Sequence, residues 1–257
     1  MAANEPPTGP PLGFPQCPNC PYLRTGPPSL CLTCASQSFE VIVANACPVC
    51  SQMLEDGRCP NWLCADPTRS IGRTQAVAYL SGQLRYKILR YKYDGAWGWS
   101  LIFGRLILAW LERNVHADRP DLIVANPTFS AEGTPRLGHT ERVLDAAAAE
   151  DVLSHWPFDV SDPPAVVKTA ATEKSARNSA PAKRAAAAAL RQALVIPDRT
   201  RTEGKRILVY DDVCTTGSQL DVVAECLIDD GGAASVDAVV LARAPWRPRP
   251  SALPPES

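Results

Sequence analysis

The sequence predicts an α/β protein, a parallel sheet flanked by helices, preceded by a small cysteine-rich module. Three observations carry that expectation. Short apolar runs of strand length are separated by helix-sized intervals. Eight of the ten cysteines fall in the first quarter of the 257 residues. Prolines crowd both ends, where they discourage regular structure. A hydrophobic content of 46 % is enough to bury one core plus a small extra module.

The expected order is a flexible tail over 1–16, a cysteine module over 17–68, one α/β domain over 69–244, and a second tail over 245–257. Within the domain, strands are expected at Leu122–Ala125, Ala165–Lys168, Arg206–Tyr210 and Val236–Ala242. No internal repeat is visible outside the cysteine pairs. The richest apolar run, Leu101–Leu111, is interrupted by Arg105 and falls short of the roughly 18 to 20 residues a membrane span needs. The first residues, MAANEPPTGPPLGFPQ, lack both a basic start and an apolar centre, so a cytoplasmic location is expected.

A reducing compartment favours thiolate ligands over disulfides. Cys17-x2-Cys20, Cys31-x2-Cys34, Cys47-x2-Cys50 and the looser Cys59-x4-Cys64 supply sulfur for two tetrahedral zinc sites. Sequential grouping (17, 20, 31, 34 and 47, 50, 59, 64) is preferred over an interleaved one. A single zinc with four spare thiols is the structural alternative. Four thiolates saturate a zinc ion, so both sites are expected to be structural rather than catalytic.

The most informative run is Ile207-Leu208-Val209-Tyr210-Asp211-Asp212-Val213-Cys214-Thr215-Thr216-Gly217-Ser218. Four apolar residues bounded by charge fit a short buried strand. Leu220, Val223, Ala224, Leu227 and Ile228 then share one helical stripe, so Thr215, Thr216, Gly217 and Ser218 stand where a helix begins. Free amides and the positive dipole end suit a phosphate dianion there. Asp211 and Asp212 can accept from vicinal hydroxyls or hold hydrated magnesium. The run resembles the 5-phosphoribosyl-1-pyrophosphate (PRPP) signature of type I phosphoribosyltransferases. Within the loop, Cys214 is read as a packing residue, the alternative being a thiol activated by the helix start. Cys226 is read as a buried free thiol.

The formal net charge of −1 hides a basic block. Residues 71–120 hold eight basic residues against three acidic ones. Inside it, RYKILRYKYDGAWGW interleaves cations with aromatics. It reads either as a surface for single-stranded nucleic acid or as an amphipathic helix packed over the core, with Leu84, Ile88, Leu89 and Tyr91 or Lys92 at helical spacing.

Cysteine pairs, the segment Tyr91-Lys92-Tyr93-Asp94-Gly95 and a late PRPP motif occur together in the ComF-type proteins, which this chain resembles over nearly its whole expected ordered length. DLIVANPTF occupies the place of that family's strand and first loop. Arg136-Leu137-Gly138-His139-Thr140-Glu141-Arg142 takes that of its arginine-glycine motif, and Lys183-Arg184 with the following alanines that of the helix before the PRPP motif. The resemblance implies a type I phosphoribosyltransferase-like fold. It implies PRPP bound with Mg2+ through Asp211, Asp212, Val213, Cys214, Thr215, Thr216, Gly217, Ser218 and Arg136, the two acids being the catalytic candidates.

His139, Thr140 and Glu141 depart from the family's usual aromatic, asparagine and glutamine, and ANPTF departs from its usual valine-proline loop. Phosphate binding is therefore better supported than transfer. His139 is a helix-start histidine or a general base. Residues 169–184 are a polar connection or a lid carrying Lys174 and Arg177. The family's association with natural transformation implies, as a rival, an accessory protein that handles single-stranded DNA or DNA-processing proteins. A nucleotide-sensing regulator without turnover is a further one.

Overall fold

The computed structural model describes residues 28–116, 118–129, 138–172 and 180–246. The helices are α1 (Pro28–Ser36), α2 (Gly82–Tyr93), α3 (Trp99–Asn114), α4 (His139–Glu150), α5 (Ala180–Ala193) and α6 (Ser218–Asp229). The strands are β1 (Thr74–Tyr79), β2 (Leu122–Ala125), β3 (Val167–Lys168), β4 (Leu194–Val195), β5 (Arg206–Cys214) and β6 (Ser235–Arg243). Four of them form a parallel sheet in the order β1-β6-β5-β2. The expected α/β class and cysteine-rich N-terminal region are therefore present. Among the described residues, no helix is long and apolar enough to cross a membrane.

Strand alternation divides the core into two layers. Leu208 and Tyr210 of β5 face the layer filled by Leu84, Ile88, Phe103 and Leu144 of α2, α3 and α4. Ile207 and Val209 face the opposite layer, with Leu190 of α5 and Leu220 and Val223 of α6. Helix α2 buries Leu84, Ile88 and Tyr91, spaced by four and three residues, so the basic aromatic stretch is an amphipathic helix. Helix α3 is apolar almost all round and is buried accordingly, between α1, α2 and α4. Arg105, the residue that interrupts its apolar run, is buried too. Its Nη1 lies 2.5 Å from Glu150 of α4 and its Nε donates to Cys31 Sγ of α1 at 3.0 Å, which supplies the pairing a buried guanidinium requires.

Two expectations shift. β1 has no counterpart among the expected strands. TQAVAY lacks a β-branched run, and it is register with β6, from Thr74 against Ala238 to Tyr79 against Arg243, that makes it a strand. The strand expected at Ala165–Lys168 does not join the main sheet. The place beyond β2 is taken by Pro157–Asp159, which accepts from Ile123 N and donates to Ile123 O. Only Val167 and Lys168 pair, antiparallel with β4.

Helices α3 and α4 meet at Gly104, where an added Cβ would lie 2.7 Å from Ala147 N and 2.9 Å from Ala146 Cβ. Backbone cannot yield as a side chain can, so Gly104→Leu is expected to cost about 3 kcal/mol in urea unfolding. A midpoint equal to that of the parent protein would contradict this contact.

Candidate functional site

β5 runs past its apolar stretch through both acids to Cys214. Alternation places Asp212 on the face of Leu208 and Tyr210, and Asp211 on the face of Ile207 and Val209. Asp212 is 1 % exposed. From α2, Lys92 Nζ lies 2.6 Å from its Oδ1, and from the start of α4, His139 Nε2 lies 3.3 Å from its Oδ2. Burial works to lower the Lys92 pKa, but the charges of Asp212 and Asp211 outweigh it and hold the ammonium above its usual value. Tyr91 Oη donates to the His139 carbonyl at 2.6 Å, tying the two helices together at the site.

Asp211 accepts from Asn126 Nδ2 at 3.0 Å and from the Asp212 amide at 2.8 Å. Its pKa is pushed up to about 8, first by burial and then by the Asp212 charge, with Lys92 pulling the other way. The ligand atoms of His139, Asp211 and Asp212 all lie within 4.8 Å of one another, so the trio has the spacing of a cation site.

The first loop, Asn126 to Phe129, leaves β2 beside this pair. Asn126 N donates to Tyr210 O at 2.7 Å. Thr140 Oγ1 donates to Asn126 O at 2.8 Å, and Thr128 N donates to Glu141 Oε1 at 3.0 Å. Thr140 and Glu141 thus fasten α4 to the first loop. Arg136 lies outside the described residues, as do Lys174 and Arg177.

After β5 the chain turns through Thr215, Thr216 and Gly217 into α6. Gly217 has φ 87°, the left-handed conformation that suits glycine. Thr215 is exposed, while Val213, Thr216 and Ser218 are half-buried. Cys214 is buried, and burial pushes its thiol up to about 12, so it packs rather than reacts. Cys226, on α6, is buried and raised to about 11 for the same reason. From adjacent parallel strands, β2 leads to a helix on one face of the sheet and β5 to a helix on the other. In open α/β sheets, ligands bind at the carboxyl ends of strands whose connections diverge in this way.

Against this loop stands the cysteine centre. Cys47, Cys50, Cys59 and Cys64 lie together, with sulfurs 3.8 Å apart in the pair 47/64 and 3.7 Å apart in the pair 50/59. A tetrahedron with zinc–sulfur bonds of about 2.3 Å has edges of about 3.8 Å, so the four side chains fit zinc. Burial, with the neighbouring thiols, raises Cys59 to about 11 and raises Cys64 as well. Burial also acts to raise Cys50, but the Arg243 charge and hydrogen bonds from Cys64, Asn61 and the Gln52 backbone outweigh it and leave it lowered. A bound cation is what lets all four ionise. Of the other set, Cys31 is buried and Cys34 half-buried on α1, whereas Cys17 and Cys20 lie outside the described residues.

The chain matches no protein-family model and no curated protein. The sequence-predicted residues Asp211 to Ser218 thus occupy one strand end and one helix start. Asn126 falls in the expected first loop, whereas nothing in the sequence marks Lys92, Asn61 and Arg243 as members of the site. His139 is marked, but without the carboxylate it faces.

With the Asp211 pKa pushed up to about 8 by burial and by Asp212, the site gains negative charge as pH rises through that value. Carboxyl carbon NMR of Asp211 is expected to titrate near pH 8, and at lower pH in Asp212→Asn, where the neighbouring charge is gone. Titration near the ordinary value of about 3.9 would contradict the geometry.

Proposed function

We propose that this chain is a ComF-type protein whose phosphoribosyltransferase-like domain binds PRPP or a related phosphoribosyl ligand with Mg2+. The observation that carries the reading is an acid pair followed by a glycine-containing loop at the head of a twelve-residue helix, at the carboxyl end of a strand whose neighbour leads to a helix on the other face of the sheet. Thr215 to Ser218 take the 5-phosphate on amides and hydroxyls. Asp211 and Asp212 accept from the ribose hydroxyls and, with His139, would hold the metal. Magnesium, when bound, supplies charge neutralisation for the diphosphate. Lys92 pairs with Asp212 in the buried site. In transfer, a nucleophile bonds to ribose carbon 1 as the carbon–oxygen bond to diphosphate breaks, the protein contributing position and electrostatics.

Zinc completes the chemistry as a structural ion, held by Cys47, Cys50, Cys59 and Cys64 and at a second site by Cys17, Cys20, Cys31 and Cys34. The protein works in the cytoplasm.

Calorimetry of the zinc-loaded protein with PRPP, with and without magnesium, tests the reading. Magnesium-dependent binding is expected, weakened at least about tenfold, or roughly 1.4 kcal/mol, by Asp211→Asn and abolished by Asp211→Asn with Asp212→Asn. The single variant is needed because Asp212→Asn leaves Lys92 without its buried partner. No binding by folded protein would overturn the reading. Pyrophosphate release with added nucleophiles separates a transferase from a binding protein.

A second reading, a protein that binds single-stranded DNA, is favoured by exposed aromatics beside cations. Tyr86, Tyr93 and Trp97 are 51 %, 64 % and 43 % exposed. Lys87 Nζ and Arg90 Cζ stand 5.4 Å and 5.9 Å from the Tyr86 ring centre, and Arg142 Cζ 4.9 Å from that of Trp97. Lys92, an equal candidate by sequence, turns inward to Asp212 instead. Binding to a fluorescent oligonucleotide should fall with salt and weaken several-fold in Lys87→Glu with Arg90→Glu. Unchanged affinity in that variant would remove this reading.

A further inference from the structure

The phosphate loop rests on the cysteine centre through two buried side chains. Arg243, at the end of β6, is 0 % exposed. Its Nη2 lies 3.6 Å from Cys50 Sγ, while its Nη1 donates to Cys214 O at 2.9 Å and also to Thr215 O. Asn61, between Cys59 and Cys64 in the chain, is 1 % exposed, and its Nδ2 donates to Thr216 O at 2.9 Å. Leu63 of the same segment would lie 3.4 Å from a Cβ on Gly217. Three successive loop carbonyls, those of residues 214, 215 and 216, are therefore held by donors on or against the cysteine centre.

In a trans peptide the carbonyl of one residue and the amide of the next point in opposite directions. Turning the carbonyls of 214, 215 and 216 toward these donors aims the amides of Thr215, Thr216 and Gly217 the other way. Successive amides facing one side form an anion-binding concavity. Zinc with four thiolates carries a formal charge of −2, and the Arg243 guanidinium is a permanent cation that reaches both this centre and the loop. Asn61 is placed by the backbone between two ligands, so its reach to Thr216 depends on where Cys59 and Cys64 are held.

We propose that Arg243 and Asn61 are positioning residues through which zinc at Cys47, Cys50, Cys59 and Cys64 sets the phosphate loop in its anion-binding shape. Its consequence for ligand affinity rests on the phosphoribosyl reading above; its consequence for the loop does not. Coupling is reciprocal, so a phosphoribosyl ligand must retain zinc by the same factor that zinc favours the ligand.

The test uses the full-length zinc-loaded protein, Asn61→Ala and Arg243→Lys, with the cysteines untouched. Amide hydrogen exchange over residues 215–218 is expected to quicken when a chelator removes zinc, and to quicken in both variants while zinc is still bound. PRPP is expected to tighten the equilibrium affinity for zinc, measured by competition with a chromogenic chelator, about tenfold in the parent protein and to have little effect on it in Asn61→Ala. Loop exchange that is the same in Asn61→Ala as in the parent overturns the proposal, as does equal PRPP affinity with and without zinc; the latter leaves the phosphoribosyl reading intact. Loop exchange that follows zinc and Asn61 in a protein that binds no PRPP supports the positioning role and removes the phosphoribosyl reading alone.

Discussion

A charge buried at the end of the central strand is the constraint on which the site depends. Asp212 has almost no contact with solvent, and an uncompensated carboxylate there would cost several kcal/mol. Lys92 from α2 and His139 from α4 compensate it, and both come from the helix layer that covers its face of the sheet. One ion pair therefore fixes how two helices approach the carboxyl end of β5. Tyr91, one residue before Lys92, secures the same junction through the His139 carbonyl. Asp211, on the other face, meets its polar partner from the first loop instead, so the paired acids join both sides of the sheet at one point.

The cysteine centre belongs to the same construction. Besides Asn61 and Arg243, Ser51 bridges it to β1, accepting from Ala76 N and donating to Thr74 O. Ser70 and Ile71, just beyond the last cysteine, donate their amides to Asp221 in the first turn of α6. The module thus touches an edge strand, the loop over residues 215–217 and the helix that follows it. Zinc held by the four cysteines would act on the shape of that loop through these contacts.

Much of this was legible in the chain. The run from Ile207 to Ser218 carries its own strand, acids, turn and helix start in consecutive residues, so local chemistry was enough to read them. The preferred sequential grouping put Cys47, Cys50, Cys59 and Cys64 in one set, and the structure brings those four together. What could not be read is contact between distant segments. Lys92 follows the same pattern of cations and aromatics as Lys87, yet one faces Asp212 and the other lies over aromatic rings; helical spacing puts position 92 near the buried stripe, but the carboxylate it meets stands on a distant strand that no local signal names. Arg243 lies one residue beyond the expected strand Val236–Ala242, and its role depends on a register of β6 with β5 that pairs it with Cys214. β1 was missed because register with β6, rather than its own composition, makes it a strand.

The most direct test of a phosphoribosyl site at this strand end is a crystal structure of the zinc-loaded protein with ribose 5-phosphate. The predicted result places the phosphate against the amides of residues 215–218 and the ribose hydroxyls at Asp211 and Asp212. A phosphate bound elsewhere on the molecule, or a loop free of ligand at saturating concentration, would contradict it.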